Sequence, residues 1–264
     1  MPLFSVIIPW CNRKELSETL KKNLPVFEKN EAEVIISNVG GDPIMLEEIL
    51  QSIPYPVKTI RQPEITLFNK CLALNLGVLA ATGTYLFLLD TDIILEEDLL
   101  PEAAALLEND CFLTIGKVYE SEKSTTAARS FISELAYFIE VKDINNNKAL
   151  IETSRHYINE KGRSAPGLVM LRKEHFMEVN GMNTALSGWG WEDNDLLCRL
   201  QLKLSLKWEK IGSAIHLTHT DQQRTINNNS RKTSEAANYA KCLDNYSQGN
   251  YAGTYKEDVQ QYIY

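Results

Sequence analysis

Residues 85–97 read Tyr-Leu-Phe-Leu-Leu-Asp-Thr-Asp-Ile-Ile-Leu-Glu-Glu. The apolar run Tyr85–Leu89 is too short for a globular helix and carries aromatic weight, so it reads as a strand buried on both faces. It ends in Asp90-Thr91-Asp92. Two carboxylates at the end of a buried strand are costly without a cation beside them. Strand alternation sends both to one side. A hard divalent ion takes oxygen ligands and bridges carboxylates to substrate phosphates. The stretch therefore points to a metal and nucleotide site, weighed against an ordinary strand exit with solvated acids.

Working outward, Phe4–Ile8 is a β-rich run ended by Pro9. Trp10-Cys11-Asn12-Arg13 follows, then Leu16, Leu20 and Leu24 at helical spacing, with Pro25 as the stop. Arg13 sits where open α/β sheets bind ligands. It reads either as a diphosphate contact or as a solvated residue at a helix start. Glu33–Ser37 and Val57–Arg61 are further strands, and Ile44–Ser52 is a short helix. A helix leads up to Ala81, with Leu72, Leu76 and Leu79 or Ala80 as its buried face. Strands alternating with helices predict an α/β chain, a mostly parallel central sheet flanked by helices.

Beyond Glu97, Leu99–Glu108 reads as a helix and Phe112–Val118 as a strand. Ala128, Phe131, Ile132, Leu135, Phe138 and Ile139 form a helical stripe, read as core packing or a lid. Ser187-Gly188-Trp189-Gly190-Trp191-Glu192-Asp193-Asn194-Asp195 sets two glycines and two tryptophans before three acids. Glycine lets a backbone approach a ligand, tryptophan offers a face to sugars, and a neighbouring carboxylate can act as a general base. The same acids also suit the first turn of a helix. His216 and His219, two of only four histidines, are spaced to reach one metal. Residues 222–264 are polar and rich in asparagine and tyrosine, with one or two helices expected.

The net charge of −8 argues against a nucleic-acid binder. Five scattered cysteines without a Cys-x-x-Cys pair argue against a disulfide framework. No stretch reaches membrane-spanning length. A cytoplasmic location is expected, compatible with peripheral membrane association through partners.

These blocks, in order, resemble nucleotide-sugar glycosyltransferases of the GT-A fold. The resemblance is nearest to the inverting β-1,4-galactosyltransferases, then to chondroitin-type polymerases and the family-2 transferases. Pro9-Trp10-Cys11-Asn12-Arg13 is similar to the block Pro-Phe-Arg-Asn-Arg. Phe68-Asn69-Lys70 through Leu74-Asn75-Leu76-Gly77 is similar to Phe-Asn-Arg…Leu-Asn-Val-Gly. Gly188-Trp189-Gly190-Trp191-Glu192-Asp193 is similar to Gly-Trp-Gly-Gly-Glu-Asp.

The resemblance implies one GT-A domain over 1–221, with a nucleotide-sugar half at 1–115, an acceptor half at 116–221, and a helical tail at 222–264. It implies Asp193 as catalytic base. Donor binding falls to Pro9, Trp10, Asn12, Arg13, Asn38, Phe68, Lys70, Asp90 and Thr91. Sugar binding falls to Gly167, Trp189, Gly190, Trp191 and Glu192. Asp92, His216 and His219 would hold Mn2+ or Mg2+. The donor would be a UDP-sugar, and the acceptor a glycan, glycolipid or protein hydroxyl. Three departures stand out. Ser37-Asn38 replaces the usual acidic pair, Trp191 replaces a glycine, and the donor-selecting tyrosine maps near Ser164. A retaining transferase, a donor hydrolase and a non-catalytic binding module remain as alternatives.

Overall fold

The strand β1 (Phe4–Trp10) is buried at all seven positions, as expected of a strand covered on both faces. In the computed structural model, which describes residues 2–122, 130–219 and 231–262, it lies between β2 (Glu33–Val39) and β4 (Tyr85–Leu88), parallel to both. The strand β3 (Val57–Gln62) continues in parallel beyond β2. Side-chain parity divides β1 between two cores. Phe4, Val6, Ile8 and Trp10 pack on Leu16, Leu20 and Phe27 of α1 (Leu16–Lys29). Ile7 faces the other way, with Cys71, Leu74 and Val78 of α3 (Lys70–Ala80) and Leu196 and Leu200 of α6 (Glu192–Leu204). Pro25 does not end α1, because the fully buried Phe27 anchors the turn beyond it. In α3, Leu79 points outward and Leu72 and Leu76 inward.

Past β4 the ladders change sense. The strand β9 (Gly162–Arg172) runs antiparallel to β4 and to β6 (Cys111–Glu120). Then come β10 (Lys207–His216), parallel to β6, and β5 (Ile93–Leu95), antiparallel to β10. The order is β3-β2-β1-β4-β9-β6-β10-β5. The parallel pattern thus covers the first four strands and recurs between β6 and β10. The chain re-enters the sheet through consecutive hairpins, and hairpins make antiparallel ladders.

Those hairpins correct one expectation. The stripe through Phe131 and Ile139 is not a helix; Glu134–Lys142 is a strand, β7, paired with β8 (Lys148–Tyr157). The local sequence fits both periods, and the turn decides. The Asp143 carboxylate accepts from the backbone N–H groups of Asn145 and Asn147 and from the Asn147 amide, closing the hairpin. Ala128 lies outside the described residues.

Helices α2 (Pro43–Gln51), α4 (Leu100–Leu106) and α5 (Lys173–Glu178) cover the sheet. The helices α7 (Arg231–Ser247) and α8 (Tyr255–Tyr262) pack back onto the body. Cys242 and Tyr246 join a core with Ile151, Leu186, Cys198 and Leu202. The Tyr255 ring meets Phe176 edge-on. Among the described residues no helix is long and apolar enough to cross a membrane.

Candidate active site

A cleft of about 370 Å³ opens where β1 and β4 end. Its walls come from the loop after β1, the Asp90–Ile93 turn, the middle of β9, the start of α6 and the exit of β10. Thr91 ties two of these together, because its hydroxyl donates to the Pro9 carbonyl at 2.6 Å. The Leu217 N–H donates to the Asp92 carbonyl at 2.8 Å and ties in a third.

Asp92, His216 and His219 converge, with one ligand atom from each lying within 4.8 Å of the others. Asp92 Oδ2 is 3.1 Å from His219 Nε2, 3.5 Å from His216 Nε2 and 2.8 Å from Arg13 Nη2. Burial opposes the Asp92 charge, but His216, Arg13 and His219 outweigh it and hold its pKa down to about 2. His216 Nδ1 lies 2.6 Å from Glu120 Oε2. Burial lowers the His216 pKa, and the two carboxylates outweigh that and raise it. A carboxylate behind a histidine is the outer-shell arrangement that orients a metal ligand. One carboxylate and two imidazoles form a donor set suited to a divalent cation of the manganese or zinc kind. The residues fit such an ion.

A second charge cluster faces the first. Lys70 Nζ lies 2.8 Å from Asp90 and 3.1 Å from Asp193. Burial disfavours the ammonium, yet Asp193, Asp90 and Glu192 hold its pKa well above the ordinary value. Burial raises the Asp90 pKa against the pull of Lys70. Glu192 is pushed up to about 7 by burial and by the Asp193 charge, with Lys70 opposing. Its Oε2 is buried with no hydrogen-bond partner among the described residues. Gly167 allows this crowding, since a Cβ there would collide with the Asp193 carboxylate.

The loop before α6 is wound through positive φ at Gly188 (82°), Gly190 (100°) and Trp191 (71°). Glycine tolerates this; tryptophan is strained there and must be held. The α7 helix holds it. Ser234 Oγ accepts from the Trp189 N–H at 2.8 Å and donates to the Ser187 carbonyl at 3.0 Å. The Asn238 amide donates to the Ser187 carbonyl at 3.2 Å and the Gly190 carbonyl at 2.8 Å. The Arg231 guanidinium lies 3.5 Å from the Trp189 ring centroid.

Five expected residues lie off the cleft lining. Trp10 is fully buried in the core, and its indole N–H donates to the Arg13 carbonyl, shaping the loop from beneath. The Asn12 side-chain Oδ1 accepts from the Asp42 backbone N–H. Asn38 is buried and spends its amide on both backbone groups of Gly41. Gly190 is packed on Glu235. Trp191 packs on the core of Ile151, Cys198 and Cys242, with its ring centroid 4.5 Å from that of Tyr239 and tilted by 40°. The other expected residues line the cleft, Pro9, Phe68 and Thr91 included. Asp90 and Asp92 do so from a turn after β4, not by strand alternation. Arg163 and Arg231 also line it and were not foreseen. Nor were Glu120, Ser234 and Asn238, whose partners are distant in sequence.

Residues 5–177 match the family model described as glycosyl transferase family 2, and residues 150–220 match that of the N-terminal domain of galactosyltransferase. An uncharacterized glycosyltransferase of Haemophilus influenzae is 24% identical over 90% of this chain and 75% of its own length. Human beta-1,4-galactosyltransferase 4 is 27% identical over 67% of this chain, which spans 43% of the human protein. A mannosyltransferase from Pyrobaculum calidifontis, solved with GDP-mannose and Mn2+, shares the fold at a TM-score of 0.52. It is 15% identical over 83% of this chain and 58% of that one. With the family match running over well over half of its length, from β1 through the cleft-lining segment of β9, the chain belongs to glycosyl transferase family 2 and is a GT-A nucleotide-sugar glycosyltransferase.

Proposed function

We propose that the protein transfers a hexose or N-acetylhexosamine from a UDP-sugar to a glycan hydroxyl, with inversion, in a reaction that depends on Mn2+ or Mg2+. The observation that carries this reading is one cleft walled by the Asp92–His216–His219 cluster and by Asp193. The two imidazoles favour Mn2+ over Mg2+, which prefers an all-oxygen shell. Held by those three residues, the ion would supply Lewis-acid stabilisation of the leaving diphosphate.

The chain's own residues do the rest. Arg13 and Lys70 place two fixed cations where negative charge develops on the leaving nucleotide. Asp193 takes the proton of the acceptor hydroxyl. The acceptor oxygen bonds to the anomeric carbon as the bond from that carbon to the phosphate oxygen breaks, and the nucleoside diphosphate leaves. Trp189 offers a sugar platform beside Asp193, and Glu192, protonated below about pH 7, donates a hydrogen bond to a sugar hydroxyl. Asn38 is engaged with Gly41, so base recognition falls to other groups, and the cleft-lining Phe68 would stack on the base. The acceptor would be a free glycan, a glycolipid or a glycosylated protein.

The test is Asp193→Asn. Turnover is expected to vanish while UDP binding, measured by calorimetry with Mn2+, stays within about twofold. Loss of binding together with turnover would remove Asp193 from the base role.

A further inference from the structure

The strand β7 is an open edge. Among the described residues it has a strand partner, β8, on one side only. It is nine residues long with no proline. The bulge in the hairpin sits on β8, where Thr153 is skipped between the pairs Tyr137–Ser154 and Phe138–Glu152, so β7 itself stays regular. Three of its large apolar side chains are exposed, Leu135 at 44%, Tyr137 at 54% and Phe138 at 47%, while Ile139 and Val141 are half-buried. Long, regular, apolar edges are what monomeric proteins avoid, because such an edge templates pairing with another chain.

We infer that β7 pairs with β7 of a second copy of this chain, antiparallel, about a two-fold axis at Phe138. The sequence Glu-Leu-Ala-Tyr-Phe-Ile-Glu-Val-Lys selects both the partner and the register. With the axis at Phe138, Glu134 faces Lys142 of the other copy at both ends of the ladder. Leu135 then faces Val141, Ala136 faces Glu140, Tyr137 faces Ile139, and Phe138 faces itself. Moving the axis to Tyr137 sets Glu134 against Glu140. Moving it to Ile139 sets Glu140 against Phe138 and Lys142 against Ala136. Of these three axes only that at Phe138 sets opposite charges against each other; its one mixed pair is the small Ala136 against Glu140, and the large apolar side chains stay opposite one another. Cross-strand pairs of these kinds stabilise a ladder, and like charges directly opposite destabilise it. A two-fold interface must be self-complementary in this sense. Arg155 already lies beside Glu134, and a carboxylate can accept from two cations. The hairpin is joined to β9 through the pairs His156–Arg163 and Tyr157–Gly162, so the paired edge would brace the strand that carries Arg163 into the cleft. The dimer does not depend on the catalytic reading.

Sedimentation equilibrium of the full chain tests it with a charge swap. Wild type is expected to be a reversible dimer. Lys142→Glu and Glu134→Lys should each weaken it by about tenfold or more in Kd. The double variant Glu134→Lys/Lys142→Glu should restore it, and Phe138→Lys should be monomeric. Melting curves equal to wild type would show that each variant is folded. A monomeric wild type, a dimer that survives Phe138→Lys, or a double variant no tighter than the singles would overturn the inference. So would a monomeric wild type that floats with phospholipid vesicles and loses flotation in Phe138→Lys, since the hairpin would then face a membrane.

Discussion

The ammonium of Lys70 lies 3.1 Å from a carboxylate oxygen of Asp193 and links it to Asp90, 2.8 Å away on the opposite wall. One half-buried cation thus holds together the turn after β4 and the start of α6. The proposed base and the donor side of the cleft share one counter-ion. Removing it would leave Asp90, Glu192 and Asp193 crowded together and uncompensated.

Lys70→Met should therefore cost more than one diphosphate contact. Removing the cation from this half-buried cluster leaves carboxylates uncompensated but within reach of water, so the melting temperature should fall, by less than the loss of one partner from a fully buried pair would cause. Losing a fixed charge at the leaving group costs about 10²-fold or more in kcat. Steady-state kinetics with a melting curve checks both. Near-normal turnover would show that Lys70 does not act on the leaving group.

Glu192 should set an alkaline limit on activity. Burial and the Asp193 charge raise its pKa to about 7. It is therefore protonated, and able to donate a hydrogen bond, below that pH, and ionised above it. The plot of kcat/KM against pH should fall through about pH 7, and Glu192→Gln should lose that limb while remaining active. A limb that survives in Glu192→Gln belongs to another group.

The α7 clamp should be visible in the split between chemistry and binding. Ser234 and Asn238 hold the ends of the Gly188–Trp191 loop, whose Trp191 has a left-handed backbone. Ser234→Ala and Asn238→Asp should reduce kcat by about tenfold or more, because small misplacements near the chemistry are expensive. Metal-dependent UDP affinity, which draws on other walls of the cleft, should be kept. Hydrogen exchange at the Trp189 amide should accelerate in Ser234→Ala. Unchanged exchange in that variant would mean that the loop holds itself.

The sequence made the site more legible than its supports. Asp90-Thr91-Asp92, His216-x-x-His219 and the Glu192-Asp193 pair are local patterns, and all of them line the cleft. The two tryptophans could not be told apart. Left-handed turns at Gly190 and Trp191 send Trp189 to the cleft and Trp191 to Tyr239. Trp10 and Asn38 sit beside cleft-forming loops, yet the fold consumes both in packing and in the Gly41 turn. Phe131 to Ile139 satisfied helical and strand spacing alike, and the Asp143 turn decided it. Ser234 and Asn238 lie 45 and 48 residues beyond the backbone groups of Trp189 and Gly190 that they hold, a pairing that no local pattern carries.

Metal-dependent donor binding at Asp92 is tested most directly by thermal melting of wild type and Asp92→Ala with nucleotides and nucleotide sugars, each with and without Mn2+. A ligand that binds only the folded state at 100 times its Kd adds about 2.7 kcal/mol of stability. A rise is expected with UDP or a UDP-sugar that requires Mn2+ and disappears in Asp92→Ala. A nucleotide shift that ignores Mn2+, or that survives in Asp92→Ala, would contradict it.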